Sequence, residues 1–365
     1  MFGVVVLAHE WGHFMAARRA GVFVEEFAIG MGPRLVTWGK PKRKKNDDGT
    51  AGGEPETTGD YTVYSIRAFP IGGFCKMYGE EETQNDPRSL SSKKVSSRML
   101  IMAAGALMNF ALAFVLLFVY ALLVGHSTTT VLRSSMENSP AMAAGILPGD
   151  RITHLNGSPV LLLEDMKMSL QSNGDKPVTV RFVRGGEVHE TLIAPTTNEY
   201  GEYMIGIQTE ARAGLLSNEE GVRRVNLFSC IADSFKNIIF FLKFTLAFVV
   251  QLFTGRADIS GMAGMIGVGG MVNDVYVYQT QVVKSVASTV LTMVNLCALL
   301  SANLGIINLL PLPALDGGKI VFLTIEGIRR KPISPEREGM VHFVGFVLLM
   351  ILAVFIAYQD IMRLI

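Results

Sequence analysis

His9-Glu10-Trp11-Gly12-His13, preceded by Val4-Val5-Val6-Leu7-Ala8 and followed by Phe14-Met15-Ala16-Ala17, is the stretch on which the reading of this chain turns. On a helix, histidines at this spacing lie one turn apart on one face, where both can reach a single metal ion. The glutamate beside the first histidine stands where it can take a proton from an activated water. A soluble protein would carry such a motif on an amphipathic helix. Here the flanks are apolar, so the implied chemistry is hydrolysis inside a membrane or at its edge. The bland alternative is a helix end with two interfacial histidines and a snorkelling glutamate. Ionisable clusters in membrane segments are costly, however, and mark function by default.

The chain has 365 residues, 49% hydrophobic and 18% charged, with a mean hydropathy of +0.35. Soluble domains carry about 25% charged residues, so a polytopic membrane protein with a moderate polar part is expected. A net charge of +1 argues against a nucleic-acid partner. The cysteines Cys75, Cys230 and Cys297 are odd in number and widely spaced, so neither a disulfide framework nor a cysteine zinc site follows. Residues 1–7 lack a basic region and a small-residue cleavage site, so no cleavable signal peptide is expected.

Residues 1–20, 99–124, 286–318 and 341–360 read as four transmembrane helices, the first of them short. Residues 209–285 include an apolar run broken by Lys236, Asn237, Lys243 and Gln251, which reads as an amphipathic, interfacial helix rather than a fifth span. Loops 21–98 and 319–340 are rich in Lys and Arg and fall on one side of this topology, which the positive-inside rule assigns to the cytosol. Residues 40–60, with Lys42-Arg43-Lys44-Lys45, read as a flexible cytosolic insertion. Residues 61–78 alternate in period two on either side of Pro70 and Gly72-Gly73, predicting a β-hairpin. Such a hairpin is either re-entrant beside the metal helix or rests on the bilayer from the cytosol. Residues 127–208 turn soluble. They predict a strand, a short helix from Ser139, a Pro148-Gly149-Asp150 turn, a strand ending at Asn156-Gly157, a helix over 165–172 and a hairpin about Gly185-Gly186.

Zinc held by two histidines of one helix needs a third protein ligand and keeps one position open. The candidate lies in Asn308-Leu309-Leu310-Pro311-Leu312-Pro313-Ala314-Leu315-Asp316-Gly317-Gly318. Two prolines break a helix inside an apolar run, and a carboxylate follows directly. An unpaired aspartate there is expensive, and coordination to a metal removes the cost. The alternative is an aspartate capping a helix that begins near Gly318. Two imidazoles and a carboxylate suit zinc, and would also accept iron or cobalt.

Together these motifs resemble the site-2 proteases, intramembrane zinc metalloproteases, in particular the bacterial branch that includes the regulator-of-sigma-E protease. Three further features carry that resemblance. Arg67-Ala68-Phe69-Pro70-Ile71-Gly72-Gly73-Phe74 looks like the family's re-entrant β-loop. Gly105-Ala106-Leu107-Met108-Asn109 looks like its G-x-x-x-N motif. Residues 127–208, with Ser139-Pro140-Ala141 and Ala144-Gly145-Ile146-Leu147-Pro148-Gly149-Asp150, look like a PDZ domain. The resemblance implies a polytopic α-helical membrane protein of about four transmembrane helices, with a re-entrant β-hairpin and an extracytoplasmic α+β PDZ-like domain, in a bacterial inner membrane. It implies a zinc cofactor on His9, His13 and Asp316, with Glu10 as the catalytic acid/base. Asn308 would bond the substrate backbone and Asn109 would lie beside the site, with Gly105 allowing close helix packing. Gly72 and Gly73 would belong to the strand-adding loop. Ile205, Gly206 and Ile207 would form a carboxylate-binding strand.

As partners the resemblance implies the lipid bilayer and single-span membrane proteins trimmed beforehand by a site-1 protease, such as anti-sigma factors or remnant signal peptides. The sequence departs from the family pattern in its short segment before His9, its single PDZ-like domain, and Met262 where proline is usual. Two rival readings are a catalytically silent scaffold binding peptides through the PDZ-like domain and a zinc transporter. The first predicts a missing ligand or glutamate. The second predicts more ionisable residues along the spans.

Overall fold

The computed structural model describes residues 1–39, 61–80, 86–126, 130–136, 138–199, 201–210, 212–216, 224–254, 265–331 and 333–364. The expected insertion at 40–60 and Met262 lie outside them. In chain order the helices are α1 (Phe2–Arg19), α2 (Val95–Val124), α3 (Pro140–Ala143), α4 (Leu163–Asn173), α5 (Leu227–Phe253), α6 (Met265–Tyr278), α7 (Val286–Leu309), α8 (Asp316–Arg329) and α9 (Pro335–Leu364). The chain divides into two compact units, one of Met1–Ala113 with Thr245–Ile365 and one of Phe114–Phe244.

Among the described residues three helices are long and apolar enough to cross a membrane: Val95–Val124, Val286–Leu309 and Glu336–Met362. They correspond to the second, third and fourth expected spans. The first expected span is the 18-residue α1, which is not among them. Leu100, Leu107 and Val115 on α2, and Phe343, Leu348, Ile351 and Val354 on α9, are apolar and exposed. Such faces suit lipid rather than water. α1 turns the other way, with Val5, His9, Gly12, His13, Phe14 and Ala17 buried.

In the first unit α1 leads into two long strands, β1 (Val24–Trp38) and β2 (Val63–Met77). The predicted hairpin inside 61–78 is not what forms. Phe27, Ala28 and Ile29 pair with Cys75, Phe74 and Gly73 on one side and with Tyr64, Ser65 and Ile66 on the other. Tyr64, Ser65 and Ile66 pair onward with Trp38, Thr37 and Val36. The first half of β1 therefore separates the two arms of β2, and residues 73–77 form an outer edge. Bends at Gly30, Gly32 and Gly72, with φ of 85°, 85° and 87°, let each strand fold over. Glu26, 6% exposed, sits in the middle of this sheet. It accepts hydrogen bonds from Ser65 Oγ at 2.6 Å, Arg67 Nη2 at 2.9 Å and Arg34 Nε at 3.2 Å.

α7 ends at Leu309 because Pro311 and Pro313 cannot donate to a continuing helix. The expected third span thus stops short of 318, and Asp316 opens a separate helix. The first half of the expected loop 319–340 belongs to α8, which ends where Arg330 turns left-handed with φ 54°, and α9 begins within it at Pro335.

The second unit is α+β. Its four-stranded sheet runs in the order Ser158–Pro159, Arg151–Leu155, Val178–Arg184, Glu187–Ile193, and Leu132–Ser135 pairs with Ile207–Thr209. Val178, Val180 and Phe182 alternate inward and join Leu132, Ile146, Ile152, Leu155, Ile193 and Ile205 in one core. Ser139 caps α3, its hydroxyl accepting Met142 N–H at 3.2 Å, with Pro140 in the first helical turn. The elements predicted between 127 and 208 are present in order. The unit also extends past 208, since Arg212–Ala213 pairs with Gly125–His126.

Candidate metal centre

α1 presents His9 and His13 from one face, 7% and 6% exposed, with their Nε2 atoms 3.2 Å apart. Asp316 Oδ2 closes the triangle at 3.1 Å from His9 Nε2 and 3.2 Å from His13 Nε2. Among the described residues this is the cluster able to hold a metal ion. Its geometry suits zinc. A tetrahedral ion with ligands at about 2.0–2.1 Å spaces them roughly 3.3 Å apart, and three protein ligands leave one position open. Three lone-pair atoms held this close need a cation or protons between them.

The surroundings are built to allow the convergence. A Cβ at Gly105 would strike His13 Nε2 and lie 2.7 Å from His9 Cε1, so this glycine lets α2 pass directly over the imidazoles. A Cβ at Gly12 would meet the Ala104 carbonyl and lie 2.9 Å from Met108 Cβ, so the backbones of α1 and α2 approach closely there. His13 Nδ1 donates to the Ile101 carbonyl at 2.8 Å, which leaves the Nε2 lone pair facing the cluster. The side-chain amide of the fully buried Asn109 lies 3.3 Å from His9 Nδ1.

Glu10 sits about 100° round the helix from His9 and turns toward β2. A Cβ built at Gly73 would lie 3.6 Å from Glu10 Cγ, and Cys75 gives Glu10 a backbone hydrogen bond. The proposed acid/base therefore stands between the ligand cluster and the outer edge of the sheet.

Asp316 is the first residue of α8, and its carboxylate turns to the histidines instead of capping that helix. A Cβ at Gly318 would lie 3.1 Å from the Leu312 carbonyl carbon, so glycine is needed where α8 starts against the proline loop. Ala314, at φ 71°, donates its N–H to His342 Nδ1 at 2.8 Å. The sequence points neither to this loop contact nor to the Ile101 carbonyl. Neither has a local signature.

The remaining expected residues fall in two places. Asn308 lies half-buried on the last turn of α7. Ile205, Gly206 and Ile207 belong to the second unit, where the Ile205 carbonyl accepts Ala141 N–H at 3.0 Å and the Gly206 carbonyl accepts Met136 N–H at 2.9 Å.

A helix-borne pair of histidines, a glutamate beside them and a distant aspartate, in a chain with three membrane-length helices, define a membrane metallopeptidase. The model of peptidase family M50 matches residues 1–45 and 55–352, and the chain belongs to that family. A Clostridium perfringens protein carrying a zinc-metalloprotease name is 35% identical over 364 residues, 99% of this chain and 96% of its own length. The regulator of sigma-W protease RasP of Bacillus subtilis is 29% identical over 448 aligned positions, covering 100% of this chain and 97% of RasP. Among solved structures, the PDZ domain of an SdrC-like protein from Listeria innocua is 27% identical over 22% of this chain and 92% of its own, with a TM-score of 0.21.

Proposed function

We propose that this chain is an intramembrane zinc metalloprotease that cleaves pre-trimmed single-span membrane proteins in or near their transmembrane segments. The observation that carries this reading is the convergence of His9 Nε2, His13 Nε2 and Asp316 Oδ2 on an apolar helix. When bound, zinc supplies Lewis acidity, acidifying water toward neutral pH and polarising a carbonyl. Glu10 accepts the proton of the attacking water and delivers it to the leaving amide nitrogen. A helical substrate has its carbonyls bonded and its amides shielded, so the reacting segment must be extended. The outer edge at residues 73–77, which no described strand pairs and which includes Gly73 beside Glu10, supports strand addition as the way to hold it. Gly72 provides the bend and Asn308 bonds the unwound backbone.

The name of the Bacillus subtilis relative supports anti-sigma factors as one substrate class. The same chemistry serves remnant signal peptides after a site-1 protease has acted. The basic loops support a cytosolic entry for water in a bacterial inner membrane, with α5 interfacial and the PDZ-like domain outward. There Ile205, Gly206 and Ile207 take a newly exposed C-terminus or the domain excludes bulky outer parts.

The test is cleavage of a single-span substrate lacking its outer domain, by the purified protein in detergent, beside Glu10→Gln with metal content read on both. Cleavage by wild type alone, with about one zinc in each, is the expected result. Equal zinc with no cleavage by either overturns the proteolytic reading.

A further inference from the structure

Ile101, Gly105 and Asn109 lie at intervals of one turn on the face of α2 that meets the two imidazoles. The first uses its carbonyl to fix His13, and the second makes room. The third lies 3.3 Å from His9 Nδ1 through its amide nitrogen, while its Oδ1 is buried without a partner among the described residues. With the nitrogen toward Nδ1, His9 must accept there and carry its proton on Nε2. That proton would point at Asp316 Oδ2, 3.1 Å away, and would occupy the lone pair a metal needs.

The two ends of a carboxamide have the same shape, and rotation by half a turn exchanges them. With Oδ1 toward His9, Nδ1 carries the proton and Nε2 turns its lone pair to the cluster. We infer that Asn109 is the positioning residue for His9, accepting Nδ1–H in the metal-loaded centre as the Ile101 carbonyl does for His13. This rests on the metal-centre reading above, and it gives Asn109, expected only to lie beside the site, a role toward the metal. Ser301 Oγ donates to the Asn109 backbone carbonyl at 2.9 Å, holding the residue from α7 as well.

Asparagine can donate or accept, and an ionised aspartate can only accept. Zinc affinity of the purified full chain is measured by chelator competition for wild type, Asn109→Leu and Asn109→Asp, with thermal melting of each. Asn109→Leu should weaken zinc binding by about 10- to 100-fold, the usual cost of losing such an outer contact, and Asn109→Asp should restore wild-type affinity. Leucine binding as tightly as wild type, or a folded aspartate variant binding as weakly as leucine, overturns the inference. A wild type that holds no zinc overturns the metal centre and this inference together. A readout without variants is the nitrogen-15 spectrum of the histidine-labelled, zinc-loaded protein. Two imidazoles protonated at Nδ1 and metal-bound at Nε2 are expected. A His9 bound through Nδ1 overturns it.

Discussion

Asp150 in the second unit and Asp316 in the first are both shielded carboxylates, and they differ in what stands against them. Arg184 forks onto Asp150 at 2.8 and 2.7 Å, and Leu147 N–H adds a bond at 2.8 Å. Burial disfavours the charge there, yet Arg184 and the amide hold the carboxyl below its ordinary range. Asp316 Oδ2 instead meets two imidazole nitrogens. Where the fold supplies its own cation, a buried carboxylate is structural. Where its neighbours are themselves lone-pair donors, it awaits a cation from solution.

The largest expected effect comes from removing the second carboxylate. Asp316→Ala should take zinc from about one per chain to near none and lower proteolysis on the order of a thousandfold or more, read by metal analysis and substrate cleavage. Zinc at wild-type stoichiometry in that variant would break the contrast. Next is Gly105→Ala, whose methyl meets both imidazoles. It should destabilise the first unit by about 1–3 kcal/mol and weaken zinc binding, read by melting and chelator competition.

Arg184→Ala tests the other side of the comparison. Removing it leaves the buried Asp150 carboxylate without its cation and should destabilise the second unit. Faster hydrogen exchange in Val178–Arg184 at unchanged zinc content would show it. Because the Asp150 carboxyl titrates low when folded, its contribution is present above the unfolded value near pH 4 and lost as pH falls through the folded one. Protection of that strand should therefore fade below about pH 4 in wild type and much less in Asp150→Asn. The smallest effect is His342→Leu. Loss of the Ala314 hydrogen bond should cost about 1 kcal/mol and loosen Asp316 enough to weaken zinc a few-fold, again by chelator competition.

The halves of the site that depend on local spacing were legible. His9, Glu10 and His13 are fixed by one helical turn, and two prolines before Asp316 advertised a broken helix with a carboxylate at its end. The strands of the second unit were legible for the same reason, since they alternate and their turns carry glycine. What failed was pairing between distant segments. Alternation in 61–78 reads equally as a hairpin or as two arms with a foreign strand between them, and nothing in residues 24–29 says that they are that strand. A helix starting near Gly318 was legible too, but nothing local says that its first residue, Asp316, faces the histidines instead of capping it. A backbone carbonyl such as that of Ile101 has no sequence signature at all.

Glu26, deep in the β1–β2 sheet and held by Ser65, Arg34 and Arg67, carries one more consequence. Sliding β1 by a single position would carry that charge to the opposite face and strand it without partners. The sheet is therefore indexed. If a substrate adds as a strand along residues 73–77, as proposed, it reads against a scale that cannot drift, graduated at about 3.3 Å per residue with its pairing pattern repeating every second one. Scissile bonds in different substrates should then fall at a fixed offset from the paired segment, stepping by two, rather than wherever a transmembrane helix happens to melt first.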